Sequence, residues 1–299
     1  MTPILGIMAS QISGHLGNSW STKTSMTTAR STLGVSAVGS VLYAIGGANA
    51  AGTAQGANEA YDTAANTWSS KTAMTTARGY LGTAAVSTTV YAIGGYTTTV
   101  QNKNEAYDTA ANTWSTKANM ITGREGNLAV VAVGTVIYAI GGYVGAKSAV
   151  NEAYDTVANT WSSKTSMTTA RYIAYGAAVG TTIYIFGGAT GGAGVSNANE
   201  AYNTVANTWS TKTNIPANLY AAPASTVGTI IYLMGGYDGA NVLATNYAYD
   251  TVGNSWTTKT PMTTARNSPG SAPYNGLVYV IGGGNQAGAV LTTNEMYTP

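Results

Sequence analysis

Cysteine is absent from this 299-residue chain, and histidine occurs once, as His15. Without cysteine there is no disulfide and no thiolate metal site, and one histidine excludes a histidine-rich metal cluster. We therefore expect no metal and no cofactor. Charged residues make up only 8% of the chain and the formal net charge is +2. That balance predicts no nucleic-acid partner, because nucleic acid usually requires a concentrated basic face.

Long hydrophobic runs are also missing. No apolar run approaches the roughly 18 residues that cross a bilayer, so we expect no membrane insertion. A short apolar stretch at residues 4–9 has no basic flank before it, which makes it a poor signal peptide. Apolar residues nevertheless form 44% of the chain, which favours a folded protein over a disordered one.

What the chain does have is a repeat of 46 to 48 residues. Its first marker is tryptophan, at Trp20, Trp68, Trp114, Trp161, Trp209 and Trp256. The second is a glycine pair preceded by Tyr-x-x, beginning at Gly46, Gly94, Gly141, Gly187, Gly235 and Gly282. The third is a tyrosine seven residues before a tryptophan, at Tyr61, Tyr107, Tyr154, Tyr202 and Tyr249, with Tyr297 as a sixth copy that no tryptophan follows. Six copies of one unit therefore account for nearly the whole chain, which indicates a repeat architecture.

Each unit is predicted to contain four short strands. In the first copy these are residues 31–38, 41–47, 58–62 and 67–71, which are rich in small, β-branched and aromatic residues. The second of them is apolar on both faces, so both faces must be buried. A four-stranded blade packed between two other blades of a β-propeller meets that condition.

The order of motifs resembles the kelch repeat. Tyr-x-x-Gly-Gly is followed by Asn-Glu-Ala-Tyr-Asp, then Asn-Thr-Trp, then Met-x-x-x-Arg, over residues 16–299. The resemblance implies an all-β fold, a six-bladed propeller of four-stranded antiparallel blades. It also implies that the glycine pair ends the second strand and that the repeat tyrosine and tryptophan pack between blades.

The two ends of the chain are predicted to close the ring. The last copy lacks a fourth strand, and residues 18–23 supply one that belongs to no other copy. Pairing them removes an exposed sheet edge. We expect residues 1–15 to form a separate N-terminal segment and residues 16–299 a single propeller. The expected blades are residues 31–73, 79–119, 125–166, 172–214, 220–261 and, for the sixth, 267–299 together with 16–25.

Most charges follow the repeat. An arginine lies ten residues after the tryptophan in five copies, at Arg30, Arg78, Arg124, Arg171 and Arg266. A glutamate lies two residues before the repeat tyrosine in five copies, at Glu59, Glu105, Glu152, Glu200 and Glu295. A ring of arginines could bind an anion, or each arginine could pair with a glutamate within or between blades. Only the fifth copy lacks both, with Leu219 and Tyr247 instead, and this joint loss favours structural pairs because one partner alone would leave an uncompensated charge.

The candidate binding face is the one that carries the glycine-pair loops. Strand parity places these loops on the same face as the connections between blades. The loops differ most between copies, at residues 48–57, 96–103, 143–150, 189–198, 237–245 and 284–293, and variable loops on a rigid scaffold commonly carry function. Six tyrosines outside the repeat fall beside the arginine site or the glycine pair: Tyr80, Tyr96, Tyr143, Tyr172, Tyr220 and Tyr237. They could bind a sugar or a peptide, or merely cover strand ends.

Two carboxylates, Glu125 and Asp238, stand outside the repeat register. They could form a general acid and base across a channel mouth, or be exposed loop charges, which is the interpretation we favour. We retain both as candidate binding residues.

Two classes of function remain open. The kelch resemblance implies a non-catalytic module that presents its loops to a protein or a carbohydrate. The alternative is a sugar-modifying enzyme of mutarotase type, which would use carboxylate or histidine groups near the axis. Some kelch propellers resemble copper radical oxidases. That chemistry is excluded here, because its cofactor needs one cysteine and two histidines. We predict no enzyme activity, since no catalytic constellation is evident.

Residues 2–14 resemble the opening segment of some tailed-phage virion proteins. The resemblance implies a phage appendage or host-attachment protein on a virion or extracellular surface, with the N-terminus contacting other virion proteins.

Overall fold

A computed structural model describes residues 17–191 and 194–299. Within these ranges the chain forms six four-stranded antiparallel sheets and one two-stranded hairpin, without helices. These six sheets confirm the predicted six-bladed propeller. The predicted N-terminal segment, residues 1–15, which includes His15, lies outside the described residues.

The strands follow the repeat closely. The chain enters through β1 (Ser19–Lys23). Blade 1 contains β2 (Gly34–Val38), β3 (Val41–Ile45), β4 (Asn58–Asp62) and β5 (Thr67–Lys71). Blade 2 contains β6 (Gly82–Val86), β7 (Thr89–Ile93), β8 (Asn104–Asp108) and β9 (Thr113–Thr116). Blade 3 contains β10 (Ala129–Val133), β11 (Val136–Ile140), β12 (Asn151–Asp155) and β13 (Thr160–Lys164).

The second half of the ring repeats this order. Blade 4 contains β14 (Tyr175–Val179), β15 (Thr182–Phe186), β18 (Asn199–Asn203) and β19 (Thr208–Thr211), with the hairpin β16 (Ala189–Gly191) and β17 (Gly194–Val195) in its loop. Blade 5 contains β20 (Ala224–Val227), β21 (Ile230–Met234), β22 (Asn246–Asp250) and β23 (Ser255–Thr258). Blade 6 contains β24 (Gly270–Tyr274), β25 (Leu277–Ile281) and β26 (Asn294–Thr298).

Blade 6 is completed by the N-terminal strand, as predicted. β1 pairs antiparallel with β26, with Trp20 opposite Tyr297 and Lys23 opposite Asn294. The sheet order is β1-β26-β25-β24, so the first strand of the chain is the outermost strand of the last blade. The ring consequently closes by hydrogen bonds between the two ends of the described chain.

Two strand boundaries differ from the sequence prediction. The first strand of blade 1 begins at Gly34 instead of residue 31, because Thr32 has a φ of 55° and interrupts the extended backbone. The second strand ends at Ile45 instead of residue 47, because Gly46 and Gly47 have φ values of 65° and 100°. Glycine tolerates this left-handed region, so the pair ends the strand and begins the loop.

The blades are joined by their repeat aromatic residues. Tyr61 is fully buried, and its ring lies 5.1 Å from Trp68 in its own blade and 5.9 Å from Tyr279 in blade 6, between ring centroids. The Trp68 indole N–H donates to the Thr24 carbonyl at 2.7 Å, and Thr24 follows the outer strand of blade 6. Equivalent bonds link every neighbouring pair of blades, at Trp20, Trp114, Trp161, Trp209 and Trp256.

The five repeat arginines are fully buried, and each contacts the repeat glutamate of the blade that it precedes. The Nη2-to-carboxylate distances are 3.0 Å for Arg30–Glu59, 2.6 Å for Arg78–Glu105, 3.3 Å for Arg124–Glu152 and 3.0 Å for Arg171–Glu200, and Arg266 contacts Glu295 in the same way. Burial lowers the pKa of Arg78, and the charge of Glu105 opposes that shift. With no exposed surface, these guanidinium groups are oriented into the blades and away from a ligand at the surface.

Candidate ligand-binding face

One end of the propeller carries both the glycine-pair loops and the connections between blades, and we call it the loop face. The other end, which carries the tight turns within each blade, is the turn face. On the loop face a bridge joins the residue after each arginine site to the residue after each glycine pair. The six bridged pairs are Ser31–Ala48, Gly79–Tyr96, Glu125–Tyr143, Tyr172–Ala189, Tyr220–Tyr237 and Asn267–Gly284. Five of the six candidate tyrosines, together with Glu125, therefore belong to these equivalent bridged pairs on the loop face.

A ring of backbone hydrogen bonds runs inside these bridged pairs. It is formed by Thr32 N to Ser268 O, Tyr80 N to Thr32 O, Asn127 N to Tyr80 O, Ile173 N to Gly126 O, Ala221 N to Ile173 O and Ser268 N to Ala221 O, at 2.7–3.3 Å. In five blades one residue both donates and accepts. The donors have positive φ, which is unusual for a β-branched residue such as Ile173 at 52°. This ring connects all six blades next to the axis.

Blade 3 departs from that pattern by one extra residue. Arg30 and Arg78 are three residues before Leu33 and Leu81, whereas Arg124 is four residues before Leu128. Gly126 accepts from one neighbouring blade and Asn127 donates to the other, so two residues do what one does elsewhere. The ring is consequently one residue longer at blade 3, and the added position has no side chain.

A hollow of the loop face lies at this place. It is lined by Tyr80, Tyr96, Glu125, Gly126, Tyr143, Tyr172 and Ile173 and has a volume of about 480 Å³. We call it the tyrosine hollow. The ring centroids of Tyr143 and Tyr172 are 5.6 Å apart, and a Cβ added to Gly126 would lie 3.2 Å from the Tyr172 ring. The absence of a side chain at Gly126 thus keeps the floor of the hollow open.

Glu125 is the charged group of this hollow. It is partly buried, and it appears in no ion pair and no side-chain hydrogen bond of the described residues. Burial raises the pKa of Glu125. Burial and the nearby charge of Glu125 also raise the pKa of Tyr80, which indicates that the carboxylate and this phenol are neighbours.

A second hollow lies beside the first. Tyr172, Ala189, Gly194, Val195, Tyr220, Tyr237 and Gly239 line it, with a volume of about 250 Å³. The rings of Tyr220 and Tyr237 are 5.2 Å apart. Burial, followed by the proximity of Tyr237 and Tyr172, raises the pKa of Tyr220. Because Tyr172 lines both hollows, the six tyrosines form one continuous aromatic crescent over blades 2–5.

The remaining candidate, Asp238, is not brought into either hollow. Its carboxylate accepts hydrogen bonds from the backbone N–H groups of Ala240 and Asn241, at 2.8 and 2.7 Å. These bonds lower the pKa of Asp238. The carboxylate is therefore used to shape its own loop, and neither of these two hollows is lined by both Glu125 and Asp238.

The loop face has two unlike halves. At blades 6 and 1 the bridged residues are Ser31, Ala48, Asn267 and Gly284, without an aromatic ring. Sequence reasoning placed the tyrosines on this face but missed Gly126 and Ile173, which also line the tyrosine hollow. The longer spacing between Arg124 and Leu128 is the signal that could have identified Gly126.

Neither a membrane-spanning helix nor a metal-binding cluster occurs in this part of the protein. No helix long and apolar enough to cross a membrane is found among residues 17–191 and 194–299. In the same ranges no three histidine, cysteine or carboxylate side chains come together as metal ligands would.

Comparison with known families agrees with this geometry. Residues 126–298 match the family described as KLHDC2/KLHL20/DRC7 Kelch-repeats domain, and residues 29–75 and 77–121 match the Kelch motif. The chain belongs to the kelch-repeat family. The resemblance of its motifs to kelch repeats is thereby confirmed.

A solved structure supports the same fold. The protein titled "Structure of YjhT" superposes on this kelch propeller with a TM-score of 0.80, covering 91% of this chain and 95% of the other, at 15% sequence identity. At that identity the similarity concerns the fold alone. No curated protein sequence is similar enough to match the chain.

Proposed function

We propose that this kelch propeller is a non-catalytic binding module whose ligand surface is the aromatic crescent of the loop face. The observation that carries the proposal is the convergence of six tyrosines outside the repeat around two adjoining hollows. Tyrosine is enriched where proteins bind their partners, because it offers a large amphipathic surface at low entropic cost.

The scaffold does not require these rings. Tyr96, Tyr143 and Tyr237 follow the glycine pair in blades 2, 3 and 5, whereas the same position holds Ala48, Ala189 and Gly284 in the other three blades. All six positions form the same backbone bridge to the arginine-side strand. A side chain that the fold accepts as glycine or alanine is free to serve a ligand.

Both a protein and a carbohydrate suit such a surface. Flat phenol rings stack on the apolar face of a sugar and equally on aliphatic or aromatic side chains, and their hydroxyls donate and accept hydrogen bonds. The family is a general precedent for protein partners. A role in host attachment by a virion rests on residues 2–14, which lie outside the described residues, and the loop face would then be the surface presented to the host.

A mutarotase-like enzyme is the alternative. It needs acid–base groups that reach one substrate, and among the residues that the structure describes Glu125 is the only carboxylate lining the tyrosine hollow. The pairing of Glu125 with Asp238 considered from the sequence receives no support from a shared cavity. Assays for mutarotation and hydrolysis of simple sugars, with Glu125→Gln as the comparison, decide between a binding module and an enzyme.

The binding proposal is tested by removing three rings together. We expect the triple variant Tyr96→Ala, Tyr143→Ala and Tyr237→Ala to lose binding to a glycan array or to host cells while it melts like the wild-type protein. The control truncates three side chains on the turn face, Val157→Ala, Val205→Ala and Val252→Ala, which are each about 80% exposed. If the wild type binds and the tyrosine variant binds equally well, the loop face is not the binding surface.

A further inference from the structure

We propose that the tyrosine hollow binds an organic cation, an ammonium or guanidinium group such as a lysine or arginine side chain of a partner. This inference rests on the proposed function and names the ligand chemistry of one part of the crescent. The ligand head group would lie against the rings of Tyr80, Tyr96, Tyr143 and Tyr172, with its charge opposite Glu125.

The first argument is the electrostatic isolation of Glu125. Each of the five repeat glutamates contacts a buried arginine, whereas Glu125 has no cation within ion-pair distance in the described ranges. Lys147 lies in the same loop and its backbone bridges to Tyr143, yet it forms no ion pair with Glu125. A carboxylate that loses part of its hydration without gaining a partner is costly, and a ligand cation would remove that cost.

The second argument is that the scaffold does not call for a carboxylate here. The residue after the arginine site is Ser31, Gly79, Tyr172, Tyr220 or Asn267 in the other blades, and all six form the same bridge. Backbone geometry alone therefore accepts polar, aromatic and absent side chains at this position. Glutamate stands only where the extra residue, Gly126, opens the floor of the hollow.

The third argument is the chemistry of the wall. Aromatic faces carry negative electrostatic potential, so several rings around one carboxylate attract a cation and hold its aliphatic stem by apolar contact. A neutral sugar would gain from the rings but little from an unpaired charge. The volume of about 480 Å³ is within the range of ligand sites in proteins, roughly 300–1,000 Å³.

The experiment compares three blocked peptides that differ at one central residue, lysine, arginine or norleucine, titrated into the full-length protein by NMR. We expect the lysine and arginine peptides to bind at least about tenfold more tightly than the norleucine peptide, and their binding to weaken with added salt. The side-chain methylene protons of the bound peptide should shift upfield, because they lie over ring faces.

Two variants localise the charge. Glu125→Gln keeps the shape of the side chain and should weaken the lysine peptide about tenfold while leaving the norleucine peptide unchanged. Asp108→Asn is the matched control, because it removes one carboxylate on the turn face where the fourth blade already has Asn203 with the same backbone contacts. We expect this control to bind like the wild type.

The outcomes separate this inference from the proposed function. Equal binding of lysine and norleucine peptides, or full lysine binding by Glu125→Gln, overturns the cation site even if the three-tyrosine variant has lost its glycan or cell binding. Absence of cation binding up to millimolar peptide also overturns it. The proposed function is tested separately: it fails if the wild type binds a partner and the three-tyrosine variant binds that partner equally well.

Discussion

Each repeat arginine contacts both a carboxylate and the glycine-pair loop of the same blade. Arg78 donates to the carbonyls of Gly94 and Lys103, at 2.7 and 3.1 Å, in addition to Glu105. Those two carbonyls stand at the beginning and end of the blade 2 loop. The buried ion pair therefore fixes the loop that presents Tyr96, and a structural contact supports the candidate site.

The fifth blade shows how the pair can be replaced. Leu219 and Tyr247 stand in place of arginine and glutamate and belong to one apolar cluster. The Thr245 hydroxyl donates to the Gly235 carbonyl at 2.7 Å, which satisfies the loop carbonyl that an arginine holds in other blades. An apolar pair plus one hydroxyl thus substitutes for the buried charges, in agreement with the general finding that apolar replacements of buried ion pairs are tolerated.

We predict that Arg78→Leu will lower the free energy of unfolding by about 3–5 kcal/mol, because Glu105 would remain buried without its partner. Adding Glu105→Tyr should recover much of this loss, since the double variant imitates the fifth blade. Urea denaturation of the four proteins gives the coupling energy, expected at about 0.5–3 kcal/mol. The same cycle with Glu59, which pairs with Arg30, should give almost none, and equal coupling to both glutamates would contradict the pairing.

At the scale of the element, an asparagine directly before the fourth strand of each blade contacts the neighbouring blade. Asn112 has a φ of 56°, and its side-chain oxygen accepts from the Tyr107 hydroxyl at 2.7 Å and from the Thr72 backbone N–H at 2.9 Å. Thr72 follows the outer strand of blade 1. One asparagine therefore ties a turn to a core tyrosine and to the preceding blade, and five equivalents continue around the ring.

We predict that Asn112→Gly will destabilise the protein by about 1–3 kcal/mol, because it leaves the Thr72 N–H and the Tyr107 hydroxyl without this acceptor. Glycine tolerates the positive φ, so the loss would measure the hydrogen bonds and not backbone strain. Asn112→Asp keeps a side-chain acceptor and should be less destabilising. Thermal and urea unfolding check both, and equal stability of Asn112→Gly and wild type would show that the contact contributes nothing.

For the whole molecule, closure depends on β1. Besides pairing with β26, this strand supplies Trp20, whose indole N–H donates to Thr260 in blade 5. Asn18 accepts from the Thr260 N–H and from the Tyr297 hydroxyl, at 2.7 and 2.9 Å. Asn18 and Trp20 thus repeat the hydrogen bonds that Asn112 and Trp114 make in blade 2.

We predict that deleting residues 1–25 will produce an aggregating or strongly destabilised protein, because β26 would become an exposed edge and Tyr297 would lose its covering tryptophan. Size-exclusion chromatography and thermal melts measure the effect. A truncation of residues 1–16, which keeps β1, separates the loss of this strand from the loss of the segment before it. A cooperative transition of the 1–25 deletion at the full-length melting temperature would contradict closure by β1.

The sequence by itself determined the fold, the number of blades and the manner of closure. These follow from local motifs repeated six times, since Gly46–Gly47, Tyr61 and Trp68 must occupy equivalent places in every copy. Strand parity alone also assigned the six tyrosines to one face. The joint absence of arginine and glutamate from the fifth copy favoured structural pairs, but the sequence left open which glutamate each arginine contacts.

The tertiary structure decided which glutamate each arginine contacts and which tyrosines share a hollow. Both depend on distances between residues that lie 27 to 92 positions apart in the chain, such as Arg78 and Glu105 or Tyr80 and Tyr172, and no local pattern specifies them. It also separated Glu125 from Asp238, because one side chain lines a cavity while the other is held by its own loop. The physical reason is that these contacts join different blades: the extra residue at Gly126, for example, acts by lengthening a hydrogen-bonded ring whose members come from all six blades.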